Sequence, residues 1–272
     1  MSELFSLKDK NIALSGGTGV LGGSIAMYLV KNGARIILLG RSAQKLDEKR
    51  KILNAVEANS TIAFEVDVLK EEELLSVKEK IKKECGVLDG LLNLAGGNIP
   101  GATLNTDQSI YDIQLNDTKH VVDVNLYGTV VPTIVLSELM AEQGHGSIIN
   151  ISSMAAKQAI TRVLGYSMAK AGVDIFTKWM ANELASKYNN NIKVNAIAPG
   201  FFIGNQNRDL LINTDGSFTE RGQMIIKNTP TRRFGEANEL NGMVHYLLSE
   251  ASSFVTGEIF NIDGGFNSFS GV

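Results

Sequence analysis

Seven short, strongly apolar runs alternate with long amphipathic stretches, and this rhythm most narrows the folds open to the chain. The runs lie at 11–14, 35–39, 62–66, 90–94, 147–151, 193–198 and 258–262. Between them, helical periodicity covers stretches near 21–32, 43–58, 70–84, 120–142, 166–187 and 236–249. Most of the runs are almost continuously apolar, as strands covered on both faces must be. Strand–helix alternation of this kind builds a parallel sheet with helices on both sides, and right-handed crossovers make it doubly wound. The expected fold is therefore α/β, a Rossmann-type doubly wound parallel seven-stranded sheet forming one domain over residues 1–272. A chain of 272 residues can bury a large core without a disulfide or metal staple.

Two segments break the rhythm, near 97–119 and 199–229. Each follows a strand, which places it at the carboxyl edge of the sheet, where long loops serve as lids or binding loops. Composition excludes several roles. Net charge is −3 and the basic residues are dispersed, so a nucleic-acid partner is not expected. Lys49–Lys51 and Lys80–Lys83 sit among acidic residues and read as solvated helix faces. No apolar run approaches the ~18 residues of a membrane span, and the N-terminus lacks an apolar signal core. The single cysteine, Cys85, excludes an internal disulfide, and the three histidines are too far apart for a zinc site. The expectation is a cytoplasmic globular protein.

The glycine-rich stretch Gly16-Gly17-Thr18-Gly19-Val20-Leu21-Gly22 joins the first strand to the first helix. Its Gly17, Gly19 and Gly22 fit G-x-G-x-x-G, which permits a tight turn and close approach of a pyrophosphate to a helix N-terminus. The second strand ends in Gly40-Arg41-Ser42. No acidic residue stands there to accept a ribose hydroxyl, and Arg41 with Ser42 offers donors to a 2′-phosphate, which tilts the cofactor towards NADP(H). Arg41 as an ordinary helix-start residue leaves NAD(H) open. Asp67 and Val68, after the third strand, are candidates for the adenine contact.

Tyr166 and Lys170 stand four residues apart, hence on one helix face. A cation beside a phenol favours the phenolate and draws its pKa down towards working pH. Thirteen residues upstream of Tyr166, Ser153 ends a buried run; Asn93-Leu94-Ala95-Gly96, Asn125 and Pro199-Gly200 complete the set. Together these motifs, in this order, resemble the short-chain dehydrogenase/reductases over essentially the whole chain. The resemblance implies that Tyr166 is the general acid/base and that Ser153 holds the substrate oxygen. It implies that Lys170 binds the nicotinamide ribose and that Asn125 holds a water of the proton relay. Asn93, Ala95 and Gly96 would border the cofactor, with Pro199, Gly200 and Ile203 against the nicotinamide. Two departures from the family pattern stand out: Val20 replaces a usual glycine, Gly19 being shifted back by one, and the stretch from Gly96 to Asn125 is long.

Gly96-Gly97-Asn98, Pro199-Gly200-Phe201-Phe202, the run 205–208 and the C-terminal run 269–272 are similar to the short-chain-type D-mannonate oxidoreductases, or fructuronate reductases. That group is usually NAD-linked, in conflict with the reading of Arg41. A sugar acid needs a cationic anchor for its carboxylate, and Arg208 and then Arg162 are the candidates. Asn98, Asn205, Gln206 and Asn207 could bind hydroxyls or merely fasten turns. A ketogluconate or a 3-oxoacyl thioester is the alternative substrate. A non-catalytic dinucleotide-binding regulator is a further reading, and the intact Asn125, Ser153, Tyr166 and Lys170 weigh against it. The resemblance also implies a homo-oligomer, commonly a tetramer, and the wide apolar stripes on the helices near 121–140 and 169–186 agree with one.

Overall fold

A computed structural model describes residues 3–204 and 207–271. Seven strands form one parallel sheet: β1 (Asn11–Ser15), β2 (Arg35–Gly40), β3 (Thr61–Glu65), β4 (Gly90–Asn93), β5 (Gly146–Ile151), β6 (Ile192–Pro199) and β7 (Ile259–Ile262). Their spatial order is β3-β2-β1-β4-β5-β6-β7, so the winding reverses between β1 and β4. That reversal opens a crevice at the carboxyl edge, the place where α/β sheets take ligands. The expected α/β doubly wound architecture is the one observed.

Helices α1 (Val20–Lys31), α2 (Ala43–Asn54), α3 (Glu71–Cys85), α4 (Leu115–Val122), α5 (Gly128–Gln143) and α6 (Leu164–Lys187) follow the first five strands. Further along lie α7 (Arg208–Leu211), α8 (Glu220–Asn228) and α9 (Asn241–Leu248). Two apolar layers fill the space between sheet and helices. One packs Ile12, Leu14, Ile36 and Leu38 against α1 and α9; the other packs Ala13, Ile37, Leu91 and Ile148 against α3, α5 and α6. Alternate residues of each central strand serve opposite layers, which is why these strands show no polar alternation.

Several boundaries differ from the sequence reading. The α2 helix stops at Asn54 rather than 58, because its side chain clamps the start of β3: Thr61 N–H donates to Asn54 Oδ1 (2.8 Å) and Asn54 Nδ2 donates to Thr61 O (3.0 Å). The helix expected from 120 begins at Leu115, where the polar sequence hides it, and α4 packs on α6. Between α4 and α5 the chain makes a π turn, Asp123–Tyr127. The segment near 199–229 contains α7 and α8, the latter capped by Thr219, whose Oγ1 accepts from Gly222 N–H (3.1 Å). The expected last long helix is split into a 3-10 turn, Ala237–Leu240, and α9. Lys49 is not on a solvated face: it lies half-buried over Gly23 of α1, and burial pushes its pKa down.

The run Leu115–Gln143 is long and apolar enough to cross a bilayer by length and composition, and 56% of its most apolar window is buried inside the protein. Its lining includes a polar chain. Asn93 Nδ2 donates to Thr133 Oγ1 (2.8 Å) and Asn150 Oδ1 (2.9 Å), Asn150 Nδ2 donates to Thr177 Oγ1 (2.9 Å), and Thr177 donates to Val173 O (2.8 Å). All four side chains are buried, so the chain ties β4, β5, α5 and α6 together at the level of the site. Asn150→Ala leaves two of these groups short of a partner and is expected to cost about 1–3 kcal/mol. Urea unfolding checks this: the midpoint falls while the slope m stays unchanged.

Candidate active site

The site is built on the exits of β1, β4, β5 and β6. At the first, Gly16 has φ +72°, and a Cβ there would come within 2.7 Å of the Leu94 carbonyl. A Cβ on Gly17 would strike Leu14 and Leu38 at 2.5 and 2.6 Å, and one on Gly22 would lie 2.4 Å from Gly16 O. Gly19 is the N-cap of α1 and supplies no side-chain acceptor to the first turn. The leading N–H groups of a helix have no intrahelical partner, so this end presents donors and the positive end of the helix dipole beside Thr18, Val20 and Leu21. That donor set and the Cβ-free cradle fit a dinucleotide pyrophosphate. With Val20 in place of the family's usual glycine, the helix still starts at Val20, and Gly19 supplies the turn.

Sequence reasoning missed Ser15. It is fully buried, and its Oγ accepts from both Leu94 N–H and Ala95 N–H (3.2 Å each), which fastens the β4 exit to the glycine loop. Its place at the head of the glycine run was the available signal. At the β2 exit Arg41 is exposed and has no partner among the described residues, while Ser42 Oγ caps α2 by accepting from Lys45 N–H (3.4 Å). Asp67 Oδ1 accepts from Leu69 N–H (3.1 Å) in a local turn, and Val68 is buried.

Asn125, Ser153, Tyr166 and Lys170 converge. The π turn carries Asn125, which is fully buried. Its Nδ2 donates to Gly97 O (2.7 Å) and Val121 O (2.8 Å), and its Oδ1 accepts from Gly97 N–H (3.0 Å). A Cβ on Gly96 would meet Asn125 Oδ1 at 2.6 Å and Lys170 Nζ at 3.6 Å, so glycine there lets all three meet. Lys170 is buried, donates to Ile151 O (2.8 Å), and holds its Nζ 5.5 Å from the centre of the Tyr166 ring. Ser153 begins the turn after β5 in an extended conformation, its Oγ accepts from Ala155 N–H (3.2 Å), and its hydroxyl acts on the Tyr166 phenol.

The electrostatics correct one expectation. Burial pushes the Tyr166 phenol above its ordinary value, and the neighbouring Ser153 hydroxyl only partly opposes this. The cation expected to lower it is itself weakened: burial brings Lys170 down to about 8, against the opposing pull of Asp174. Asp174 stands one helical turn beyond Lys170, and burial raises its own carboxyl. Its four-residue spacing from Lys170 is legible in the sequence; its burial is not. A raised phenol stays protonated through neutral pH, the form that donates a proton. Carbonyl reduction is therefore expected to hold up across neutral pH, and alcohol oxidation, which needs the phenolate, to climb with alkalinity. Profiles of kcat/KM from about pH 6 to about pH 10 in both directions check this; oxidation that falls over that range would contradict it.

On the substrate side, Asn98 Nδ2 donates to Thr103 Oγ1 (2.8 Å) and its Oδ1 accepts from Ile99 N–H (3.0 Å). Asn207 likewise ties its own loop, donating to Phe202 O (2.9 Å) and accepting from Gly204 N–H (2.8 Å). Both are thus engaged in turns. Asn205 and Gln206 lie outside the described residues. Arg208 is exposed at the start of α7, whereas Arg162 is half-buried and donates to Leu104 O and to Asn105 Oδ1 (3.3 Å). Gly200 N–H donates to Ile262 O (2.9 Å), and a Cβ there would lie 2.7 Å from Asp263 Cα, so Pro199-Gly200 packs flat on the β7 exit. Ile203 joins a small apolar cluster with Leu211, Ile225 and Phe234.

A family profile described as enoyl-(acyl carrier protein) reductase matches residues 18–267. The chain belongs to the short-chain dehydrogenase/reductase family. It is thus an NAD(P)-dependent oxidoreductase, as the resemblance in its motifs implied. It is 38% identical to the uncharacterized oxidoreductase UxuB of Bacillus subtilis, over 98% of both chains. It is 33% identical to the 2-dehydro-3-deoxy-D-gluconate 5-dehydrogenase of Formosa agariphila, over 97% of this chain and 94% of that one. Among solved structures it is similar to a Haemophilus influenzae protein described as a candidate D-mannonate oxidoreductase with bound NAD. That match has a TM-score of 0.90 and 36% identity over 98% of both chains.

Proposed function

We propose that this oxidoreductase interconverts a keto sugar acid and its hydroxy acid, with D-fructuronate and D-mannonate as the pair. The observation that carries the chemistry is the Lys170 Nζ 5.5 Å from the centre of the Tyr166 ring and bonded to Ile151 O at the β5 exit, with Ser153 at the same exit acting on the phenol. Similarity to proteins described as acting on D-mannonate and on a dehydro-deoxygluconate supports the substrate class.

When bound, the nicotinamide dinucleotide supplies or accepts the hydride. This chain's residues do the rest. The cradle of Gly16, Gly17, Thr18, Gly19, Val20, Leu21 and Gly22 receives the pyrophosphate, with Arg41, Ser42, Asp67 and Val68 around the adenosine end. Asn93, Ala95, Gly96, Pro199, Gly200 and Ile203 border the nicotinamide end. In the reduction direction, Ser153 donates a hydrogen bond to the C5 carbonyl oxygen. Tyr166 gives its phenolic proton to that oxygen as negative charge develops there. In oxidation the phenolate takes the proton back. Lys170 holds the nicotinamide ribose and steadies the phenolate, and Asn125 fixes Gly97 beside it and serves the proton relay. The segments near 97–119 and 199–229 form the substrate side, with Asn98, Asn207, Arg162 and Arg208 as its polar and cationic members.

The F. agariphila relative favours a ketogluconate as the second reading. Supplying D-mannonate or D-gluconate with NAD+ and NADP+ and identifying the product by NMR separates the two. D-fructuronate formed from D-mannonate at the higher kcat/KM is the expected result, and preference for D-gluconate overturns it. A homotetramer in the cytoplasm completes the reading. Ile134 of α5 and Ile175 and Trp179 of α6 are 52%, 65% and 54% exposed, apolar surface of the kind a second copy covers.

A further inference from the structure

The turn after β7 fastens together three segments that come from separate parts of the chain. Asp263 closes it with both carboxylate oxygens: Oδ1 accepts from Gly265 N–H (2.9 Å) and Oδ2 from Asn267 N–H (2.8 Å). Between these contacts Gly264 and Gly265 take φ +62° and +88°, a left-handed pair that glycine adopts at no steric cost. A carboxylate accepts at both oxygens, so this one side chain satisfies two donors. An amide of the same shape has one acceptor and would turn its NH2 against the second N–H.

Each outward contact of the turn reaches a different wall of the site. The first wall is Pro199-Gly200-Phe201. A Cβ on Gly200 would lie 2.7 Å from Asp263 Cα, and the Phe201 and Phe266 rings meet edge to face at 5.1 Å. The second wall is the turn opened by Ser153. Gln158 Nε2 donates to Asn267 O (3.2 Å), and Lys157 Nζ donates to Asn261 Oδ1 of β7 (2.6 Å). Hydrogen bonds carry that grip back to Ser153: Gln158 N–H donates to Met154 O (3.0 Å), and Ala155 N–H donates to Ser153 Oγ (3.2 Å). The third wall follows α8, where Thr231 N–H donates to Gly264 O (3.2 Å) and a Cβ on Gly265 would lie 2.9 Å from Pro230 Cγ.

We propose that Asp263 is a positioning residue for hydride transfer: the turn it closes sets the Ser153 wall against the Pro199-Gly200 wall, and with them the carbonyl against the nicotinamide. It acts through Gln158 and Gly200, not on the reacting atoms. This goes one step into the proposed reaction and rests on it for the roles of Ser153 and Pro199-Gly200. A misplacement of about 1 Å between reacting groups costs about 10²-fold in rate, so loosening two facing walls is read in the chemical step.

The test has one readout that needs no turnover and one that does. The first is hydrogen–deuterium exchange with NAD+ or NADP+ bound, whichever binds tighter. In Asp263→Asn the amides of 154–158 and 200–201 are expected to exchange about tenfold faster, with 11–40 unchanged. The second is single-turnover reduction of D-fructuronate by the matching reduced cofactor. Its rate is expected to fall about 10-fold in Asp263→Asn and about 100-fold in Asp263→Ala, while cofactor affinity stays within about threefold. Gln158→Ala cuts the link to Asn267 but leaves the turn closed. It is expected to slow the same step about 10-fold and to add little to Asp263→Ala. A merely structural Asp263 would lose Tm and cofactor affinity along with the rate, and the losses of the two variants would add. Unchanged exchange at 154–158, additive losses, or a full single-turnover rate in Asp263→Asn overturns the assignment. If Asp263→Ala does not fold, Asp263→Asn with and without Gln158→Ala makes the same comparison. If the wild type does not reduce D-fructuronate, the substrate assignment fails on its own, and the exchange pattern decides the role of Asp263.

Discussion

Tyr166→Phe is expected to lower kcat by about 10³-fold, within the range that removal of a positioned acid/base produces. The expectation follows from what the ring touches. Burial keeps its hydroxyl protonated, Ser153 is the polar side chain acting on it, and the Lys170 Nζ lies 5.5 Å from the ring centre. Asn125 is not free to substitute, since its amide is committed to Gly97 and Val121. Phenylalanine keeps the ring's packing, so thermal stability and NADH binding should change little. Stopped-flow single turnovers separate the chemical step from product release. A variant that binds cofactor and retains most of its turnover contradicts the assignment of Tyr166.

Gly22→Ala should damage the fold and cofactor binding together. An added Cβ meets the Gly16 carbonyl at 2.4 Å, backbone against backbone, and Gly16 is itself pinned by Leu94. Neither side can retreat without reopening the β1–β4 crevice. Overpacking of this kind costs roughly 1–3 kcal/mol, which for a chain of this size lowers Tm by about 3–10 °C. Gly19→Ala is the contrast: its Cβ would lie 3.4 Å from Gly16 O and point towards the cradle. It should spare most of the stability and weaken dinucleotide affinity. Differential scanning calorimetry with a cofactor titration distinguishes the two, and equal Tm losses would contradict the geometry.

What was legible followed from local rules. Strands buried on both faces announce themselves as apolar runs, so all seven strands were found to within a residue or so at each end. The glycine loop was legible because only glycine tolerates the φ of Gly16 and the contacts of Gly17 and Gly22. The loops were not. In α4 the polar run around Asn116 and Asp117 hides a helix whose stability comes from α6, a contact distant in sequence. The pKa of Tyr166 was misjudged for the same reason, since the spacing from Lys170 shows a cation nearby but not the burial that outweighs it.

The most direct test of the account is the initial rate of reduced-nicotinamide consumption by the wild-type protein. D-fructuronate and a panel of other keto sugar acids would be offered with NADH and NADPH in parallel. Fast, selective consumption with D-fructuronate is the result predicted here, and the ratio of the two cofactor rates reads what Arg41 does. Measurable cofactor binding without turnover of any keto sugar acid would contradict it.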